Sequence, residues 1–178
     1  MNRRLAFIFI ALMASLTVSA QNRFEIGVNY SPTNLSIVDD AADMLFKTGL
    51  YAEYRLALSR HFDLGARLDY KLGPVKGVIN YDDPFSHSAA LSAVADFNLL
   101  PGKVINPFIG LSFGPGFGMH NDTLDHLWYG QFLVFWTARA GIDLFNHLRI
   151  SADLNVPYFG GQFPPVFITA NVNIGWIF

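Results

Sequence analysis

Acidic and basic side chains recur at spacings that would let them meet if the chain doubled back on itself. If the segments on either side of Asn146 pair as an antiparallel hairpin, Asp143 opposes Arg149. In the same register Arg139 opposes Asp153. A one-residue slip would turn all four side chains to the other face, so two matched pairs favour this register. The chemistry that such pairs offer is electrostatic, since they hold neighbouring strands together.

A third pair follows from the turn around Arg60, where the same geometry places Glu53 opposite Arg67. Buried charges must be paired, because leaving one alone costs several kcal/mol. We therefore predict an interior charge network that either closes the centre of the fold or conducts ions or protons. Closure is favoured where eight strands enclose a space that side chains just fill. The predicted network comprises Glu53, Arg55, Arg67, Asp69, Asp96, Arg139, Asp143, Arg149 and Asp153.

Metal chemistry is suggested by one short stretch, in which His120, Asp122, Asp125 and His126 lie within seven residues. Imidazole and carboxylate groups suit zinc and other transition metals. The spacing matches no tight ligand motif, however, so the sequence predicts no metal site and no cofactor.

Nucleophilic catalysis would need a serine and a histidine on the same face of a strand. His87 and Ser88 are adjacent, so alternation sends their side chains to opposite faces. The sequence therefore predicts no catalytic residue.

The elements that must position the charged side chains are strands. Apolar and polar residues alternate in eight segments, and a period of two is typical of a β-strand with one apolar face. All strand charges fall on the polar face. The predicted strands are Arg23–Ser31, Lys47–Leu58, Phe62–Leu72, Ser88–Leu99, Pro107–Gly118, Gln131–Leu144, Leu148–Val156 and Val166–Phe178.

Composition leaves two options, a very apolar soluble core or a barrel whose apolar residues are spread over many strands. Hydrophobic residues make up 52% of the 178 residues and charged residues only 15%, whereas soluble domains carry about 25% charged residues. No apolar run reaches the roughly 20 residues that a membrane-spanning helix needs. The absence of cysteine excludes disulfides and thiolate chemistry. A formal net charge of −2 gives no reason to expect a nucleic-acid partner.

The N-terminus is typical of a secretory signal peptide. Arg3 and Arg4 precede an apolar stretch over 5–18, and small residues at Ser19 and Ala20 form a cleavage site. We predict a signal peptide at residues 1–20 and a single barrel domain at residues 21–178.

Two kinds of eight-stranded barrel fit the alternation. A lipocalin turns its apolar face inward around a ligand, whereas a membrane barrel turns it outward. Aromatic residues cluster at both ends of the apolar face, with Phe24 and Phe97 at one end and Tyr30 and Tyr70 at the other. Such girdles mark the two membrane interfaces, so the apolar face is predicted to point outward.

The closing strand carries a family resemblance. It ends on Phe178, with Trp176 and Ile174 at the preceding alternate positions. This ending resembles the assembly signal of bacterial outer-membrane β-barrels, and the mature chain resembles small barrels of the OmpA/OmpX/OmpW type, including Bacteroidetes-type barrels. The resemblance implies an all-β fold, an eight-stranded antiparallel transmembrane up-and-down β-barrel. It also implies location in the bacterial outer membrane, with the N-terminus and short turns periplasmic and the long loops extracellular.

The implied partners are outer-membrane lipid, lipopolysaccharide and the barrel-assembly machinery, which would recognise Ile174, Trp176 and Phe178. The long loops are acidic, with Lys76 as the only base inside them. They could hold divalent cations that bridge lipopolysaccharide phosphates, bind a basic partner, or simply keep the exposed loops soluble. The loop acids are Asp39, Asp40, Asp43, Asp82, Asp83, Asp122 and Asp125.

The leading interpretation of function is a non-enzymatic barrel with a closed, salt-bridged lumen, serving envelope integrity or surface-loop interaction. One alternative is a narrow channel for small or apolar solutes, because Phe108, Leu133, Phe135 and Phe167 place apolar bulk on the inner face. A second is a lipid A-modifying enzyme. Barrel deacylases resemble this chain in length, but their His-x-Ser pattern is not matched.

Overall fold

The structure is a computed structural model that describes residues 22–36, 42–43, 47–74, 85–121, 128–158 and 167–178. No helix formed by these residues is long and apolar enough to span a membrane. The predicted signal peptide at residues 1–20 lies outside the described residues. The described strands are β1 (Asn22–Ser36), β2 (Ala42–Asp43), β3 (Lys47–Ala57), β4 (Phe62–Pro74), β5 (Phe85–Asn98), β6 (Ile105–Asn121), β7 (Trp128–Leu144), β8 (Leu148–Tyr158) and β9 (Phe167–Ile177).

Eight long strands form a closed barrel. Each pairs antiparallel with the next, and β1 also pairs with β9, which closes the sheet. The prediction of an eight-stranded antiparallel up-and-down barrel is therefore confirmed. The two-residue strand β2 was not predicted. It lies within the stretch assigned to a loop and pairs only with the far end of β1.

Strand β1 continues past the predicted end at Ser31 because the barrel tolerates a proline at a sheet irregularity. A proline has no N–H to donate to a ladder, so within sheets it is normally confined to strand ends, edge strands and bulges. In the structure, the register of β1 on β9 shifts between Tyr30 and Thr33 and pairing then resumes as far as Ser36. This irregularity accommodates Pro32 without ending the strand.

The distribution of side chains is inverted relative to a soluble protein. Large aliphatic side chains such as Leu50, Leu68 and Leu111 are more than half exposed on the outer face. Charged side chains are buried inside, and the buried hydrophobic residues among those described are only Tyr51, Val94, Phe108 and Ile177. An apolar outer surface of this kind is stable where it meets hydrocarbon. The lipocalin alternative is excluded, because its apolar face would line the interior.

Three short turns close the hairpins at one end of the barrel, at residues 58–61, 99–104 and 145–147. In the last of them Phe145 and Asn146 both have left-handed backbone angles, with φ of 55° and 60°. Two consecutive left-handed residues are the hallmark of a type I′ hairpin turn. Asn suits this conformation, whereas a bulky Phe rarely adopts it. The long connections at the other end fall largely outside the described residues.

Candidate functional site in the barrel interior

The interior charge network is assembled from five strands. Strands β3, β4, β5, β7 and β8 each turn their charged residues inward, because these residues occupy alternate positions. All nine predicted members lie on the inner face. Asp69 is half-buried, and each of the others is at most 4% exposed. The structure adds Glu25 from β1 and Asp63 from β4 to the buried set.

The strand registers place the three predicted pairs opposite one another. Asp143 faces Arg149, and Arg139 faces Asp153, across β7 and β8. The Arg149–Asp143 contact is bidentate, since Nε lies 2.6 Å from Oδ1 and Nη2 lies 3.0 Å from Oδ2. The Arg139–Asp153 contact is longer, at 3.6 Å between Nε and Oδ1.

The third pair, Glu53 and Arg67, faces across β3 and β4 with 3.6 Å between Oε2 and Nη1. The nearest carboxylate to Arg67 is instead Asp69, two residues along the same strand. It accepts from Arg67 Nε and Nη2, both at 2.9 Å. The residue directly opposite an arginine on the next strand is therefore not always its closest carboxylate.

Two arginines also make short contacts across the lumen, between strands that are not neighbours in the sheet. Arg139 on β7 donates from Nη2 to Glu53 Oε2 on β3 at 2.9 Å. Arg149 on β8 donates from Nη1 to Asp96 Oδ2 on β5 at 2.6 Å. These contacts tie opposite walls of the barrel together, and hydrogen bonds between charged groups are the strong kind.

Like charges also face each other, and guanidinium groups neutralise them. Glu25 lies opposite Glu53 across β1 and β3, an arrangement that would be destabilising alone. Arg55 resolves it by donating to Glu25 and placing its Nε 3.0 Å from Glu53 Oε1. Asp63 faces Asp96 across β4 and β5. Asp63 accepts from the Asn98 amide at 2.9 Å, and Arg149 binds Asp96.

The guanidinium groups of two arginines stack on aromatic rings. Arg67 lies 3.9 Å from the centroid of the Tyr51 ring, and Arg149 lies 3.8 Å from that of Phe108. The Tyr51 hydroxyl also donates to Glu25 Oε1 at 2.5 Å. Cation–π contacts of this kind are strongest where water is excluded.

Glycines make room for these rings. A Cβ atom at Gly27 or Gly175 would overlap Tyr51, and one at Gly141 would lie 2.8 Å from Phe108. Small residues in general suit the narrow lumen of an eight-stranded barrel. The structure gives these positions the more specific task of admitting aromatic rings.

At the loop half of the lumen, amides replace carboxylates as partners. Arg67 Nη2 donates to Asn173 Oδ1, and Lys71 Nζ donates to Asn171 Oδ1, both at 2.9 Å. Asn29 donates to Asp69 at 3.2 Å. None of these asparagines was singled out from the sequence, although all of them lie at polar positions of the predicted alternation.

The predicted assembly-signal residues lie together on the outer face. Ile174, Trp176 and Phe178 are 48%, 51% and 68% exposed. The Phe178 amide donates to the Phe24 carbonyl at 2.8 Å, which fastens the chain end to β1.

Most of the stretch considered for metal binding, residues 122–126, lies outside the described residues. Elsewhere in the described part of the chain, no group of three or more His, Cys, Asp or Glu side chains is arranged to hold a metal ion.

Solved structures of small outer-membrane barrels share this fold. Ail, the attachment invasion locus protein of Yersinia pestis, matches with a TM-score of 0.58 and 11% identity over 88% of this chain and 97% of its own. Neisserial surface protein A matches with a TM-score of 0.60 and 11% identity over 89% and 97%. The N-terminal β-barrel domain of Pseudomonas aeruginosa OprF matches with a TM-score of 0.52 and 15% identity over 90% and 100%.

No protein-family model and no curated protein sequence matches the chain. At these identities the structural likeness shows the fold, which is that of the small outer-membrane β-barrels. The predicted resemblance to OmpA/OmpX-like barrels is thereby confirmed. The apolar outer face agrees with the predicted location in a bacterial outer membrane.

Proposed function

We propose that the protein is a non-enzymatic outer-membrane barrel whose lumen is closed by its own ion pairs. It would serve envelope integrity or present its loops for interactions at the cell surface. The observation that carries this proposal is the charge network that crosses the lumen. Arg149 binds Asp96 and Arg139 binds Glu53 from opposite walls, and all four side chains are at most 3% exposed.

Closure follows from the cost of breaking these contacts. Separating a buried pair without a replacement leaves uncompensated charge, which costs about 3–5 kcal/mol. A solute would have to separate several pairs at once, because Arg55 and Arg149 share Glu25, Glu53 and Asp96 as partners. The lumen of an eight-stranded barrel is also just wide enough for side chains.

Two measurements test the proposal. Unboiled and boiled outer-membrane fractions are compared on a denaturing gel, where a closed barrel migrates differently before it is boiled. The purified barrel is then placed in a planar bilayer and its conductance is recorded. We expect a heat-dependent shift and no steady conductance. A soluble periplasmic protein without the shift would contradict the barrel assignment, and a steady current would contradict closure.

A narrow channel is the second candidate, and the observation in its favour is apolar bulk inside the barrel. Leu133 and Phe135 are half-buried on the inner face of the loop half, and Phe108 is buried under Arg149. A steady wild-type current that rises in a Phe108→Ala variant would support this candidate.

The proposed partners are outer-membrane lipid, lipopolysaccharide and the assembly machinery, the last through the exposed outer face of β9. Ail has been crystallised with the heparin analogue sucrose octasulfate. A polyanion suits the long loops poorly, because they hold seven Asp and a single Lys. Divalent cations that bridge lipopolysaccharide phosphates, or a basic partner, fit the charge of the loops better.

A lipid A-modifying activity is the third candidate. In the described part of the chain, His61 and His147 bond main-chain carbonyls, and His87 bonds the Tyr70 phenol. Mass spectrometry of lipid A from a deletion strain and its complemented parent tests this activity. A mass difference that corresponds to a lost or added acyl chain would establish the enzyme and overturn the leading proposal.

A further inference from the structure

The turn end of the barrel forms a continuous surface, here called the turn rim. It consists of the turns at 58–61, 99–104 and 145–147. Backbone hydrogen bonds fix each turn to the neighbouring hairpin. The main-chain N–H of Asn98 donates to the His61 carbonyl at 2.7 Å, and that of Phe145 donates to the Val104 carbonyl at 2.7 Å.

One structural arrangement occurs twice on this rim. The His61 ring stacks on Phe97 with centroids 5.8 Å apart, and its Nδ1 lies 2.8 Å from the Asn98 carbonyl. Phe97 and Asn98 are consecutive, so the imidazole stacks on an aromatic residue of the outer face and also binds the main-chain carbonyl of the next residue.

The second copy involves His147, whose ring stacks on Trp176 with centroids 5.5 Å apart. Its Nδ1 lies 3.2 Å from the carbonyl of Ile177, the residue after Trp176. A carbonyl only accepts, so Nδ1 carries the hydrogen in both copies, and in the neutral ring Nε2 is then an acceptor. Both histidines are exposed.

The rim is basic and contains no acidic side chain. Arg60 and Lys103 are exposed, and the three turns contain no Asp or Glu. The nearest acids along the chain, Asp63 and Asp143, are buried in the lumen at 2% and 1% exposure. The carboxylate of Phe178 lies at this end too. The long loops have the opposite balance, so the two ends of the barrel differ in charge.

An aromatic side chain projects from the same rim. Phe145 is 67% exposed although its turn holds it in a left-handed conformation that costs a non-glycine residue about 1–2 kcal/mol. Val104, whose carbonyl accepts from Phe145, is 58% exposed. Exposed apolar side chains beside cations suit the headgroup region of a membrane better than bulk water.

We propose that the turn rim binds the headgroups of acidic, hydroxyl-bearing glycerophospholipids of the phosphatidylglycerol type. This inference rests on the proposed membrane location. Arg60 and Lys103 meet the lipid phosphate, and the Nε2 acceptors of His61 and His147 meet headgroup hydroxyls. Phe145 lies among the upper acyl chains. Charge complementarity selects this occupant over a zwitterionic lipid.

The chain contains its own reporters for a test. Trp176 stacks on His147 at the rim, while Trp136 lies on the outer face midway along β7 and is 57% exposed. A Trp176-only protein carries Trp128→Phe and Trp136→Phe, and a Trp136-only protein carries Trp128→Phe and Trp176→Phe. Each is reconstituted in phosphatidylcholine vesicles that contain brominated phosphatidylglycerol or brominated phosphatidylcholine. Fluorescence quenching gives the relative lipid affinity at each tryptophan.

We expect a preference for phosphatidylglycerol at Trp176 and none at Trp136. The double variant Lys103→Ser/His147→Gln should lower the Trp176 preference about fivefold, the effect of one cation near an anionic surface. Lys76→Ser, which removes the only base of the long loops, is the matched control and should leave the preference unchanged.

Equal preference at both tryptophans, or no loss in the rim variant, would overturn the lipid assignment while the barrel itself inserts normally. Failure of the wild-type protein to insert into either vesicle would instead overturn the proposed membrane function, and the rim proposal with it.

Discussion

Glu25 and Glu53 lie directly opposite each other on β1 and β3, and both carboxylates are fully buried. Arg55 joins them, since it donates to Glu25 and lies 3.0 Å from Glu53. Arg149 lies 3.6 Å from Glu25 and 3.7 Å from Glu53, so a second guanidinium supports the first. The first strand of the barrel is thus held to its neighbour by a cation between two acids.

Removal of the Arg55 charge should strongly destabilise the barrel. We expect Arg55→Met, which keeps the length of the side chain, to destabilise the barrel by about 3–5 kcal/mol because two buried carboxylates lose their shared partner. Urea unfolding in lipid vesicles, followed by the heat-dependent gel shift, measures the change.

The matched control is Arg60→Met, which removes an exposed arginine from a turn. In vesicles of phosphatidylcholine alone, which offer the turn rim no acidic headgroup, it should change stability by less than about 0.5 kcal/mol. Glu25→Gln in the Arg55→Met background should restore part of the loss. An Arg55→Met barrel as stable as the wild type would show that the carboxylates do not depend on this arginine.

Energetic coupling should follow distance rather than position in the sheet. Arg139 lies 2.9 Å from Glu53 across the lumen but 3.6 Å from Asp153 on the adjacent strand. In double-mutant cycles, Arg139→Met should couple more strongly to Glu53→Gln than to Asp153→Asn, within the range of about 0.5–3 kcal/mol that contacting residues show. Urea midpoints and slopes for both cycles supply the comparison. A larger coupling to Asp153 would mean that adjacent-strand pairing dominates.

The space that Gly175 leaves for the Tyr51 ring should not accommodate a methyl group. A Cβ at Gly175 would overlap the Tyr51 hydroxyl and the Glu25 side chain. We expect Gly175→Ala to cost about 1–3 kcal/mol, as overpacking does. Tyr51→Phe in the same chain should recover part of it.

Gly118→Ala is the control, because the nearest atom to its Cβ would lie 3.9 Å away. Its stability should stay within about 0.5 kcal/mol of the wild type. Equal losses at Gly175 and Gly118 would indicate a general effect of glycine in strands rather than the collision with Tyr51.

Relief of the strained turn should stabilise the isolated barrel. Phe145 has a φ of 55°, and Asn adopts this conformation more readily than Phe. We expect Phe145→Asn to raise the free energy of unfolding in detergent micelles by about 1 kcal/mol. Phe145→Ala should give no such gain, since Ala keeps the left-handed penalty. Identical urea midpoints for the Asn and Ala variants would show that the strain is not stored at this backbone position.

The sequence predicted those contacts that depend on consecutive strands joined by short turns. A turn of known position fixes the register, and so the Asp143–Arg149 and Arg139–Asp153 positions could be read from spacing alone. The Glu25–Glu53 opposition could not, because a long connection separates β1 from β3 and leaves their register open. The Arg139–Glu53 contact depends on how the sheet curls into a barrel, which no local pattern encodes.

Two backbone features could not be predicted from local signals. The predicted end of the first strand at Ser31 was too early, because pairing with β9 resumes at Thr33 beyond the register shift. Asn146 is a recognisable residue for a type I′ turn, but nothing in the sequence marks Phe145 as its left-handed neighbour.

The pairing of β1 with β9 constrains the order in which the barrel can assemble. Glu25 pairs with Ile177 and Ser36 pairs with Phe167. One edge of the first strand therefore gains its partner only when the last strand is present. Until β9 arrives, β1 and β8 each carry an edge of unpaired amides and carbonyls, and hydrocarbon does not accept such edges. The barrel can therefore close only once β9 has been made. We expect a chain truncated before β9 to leave both edges unpaired and to form no closed barrel.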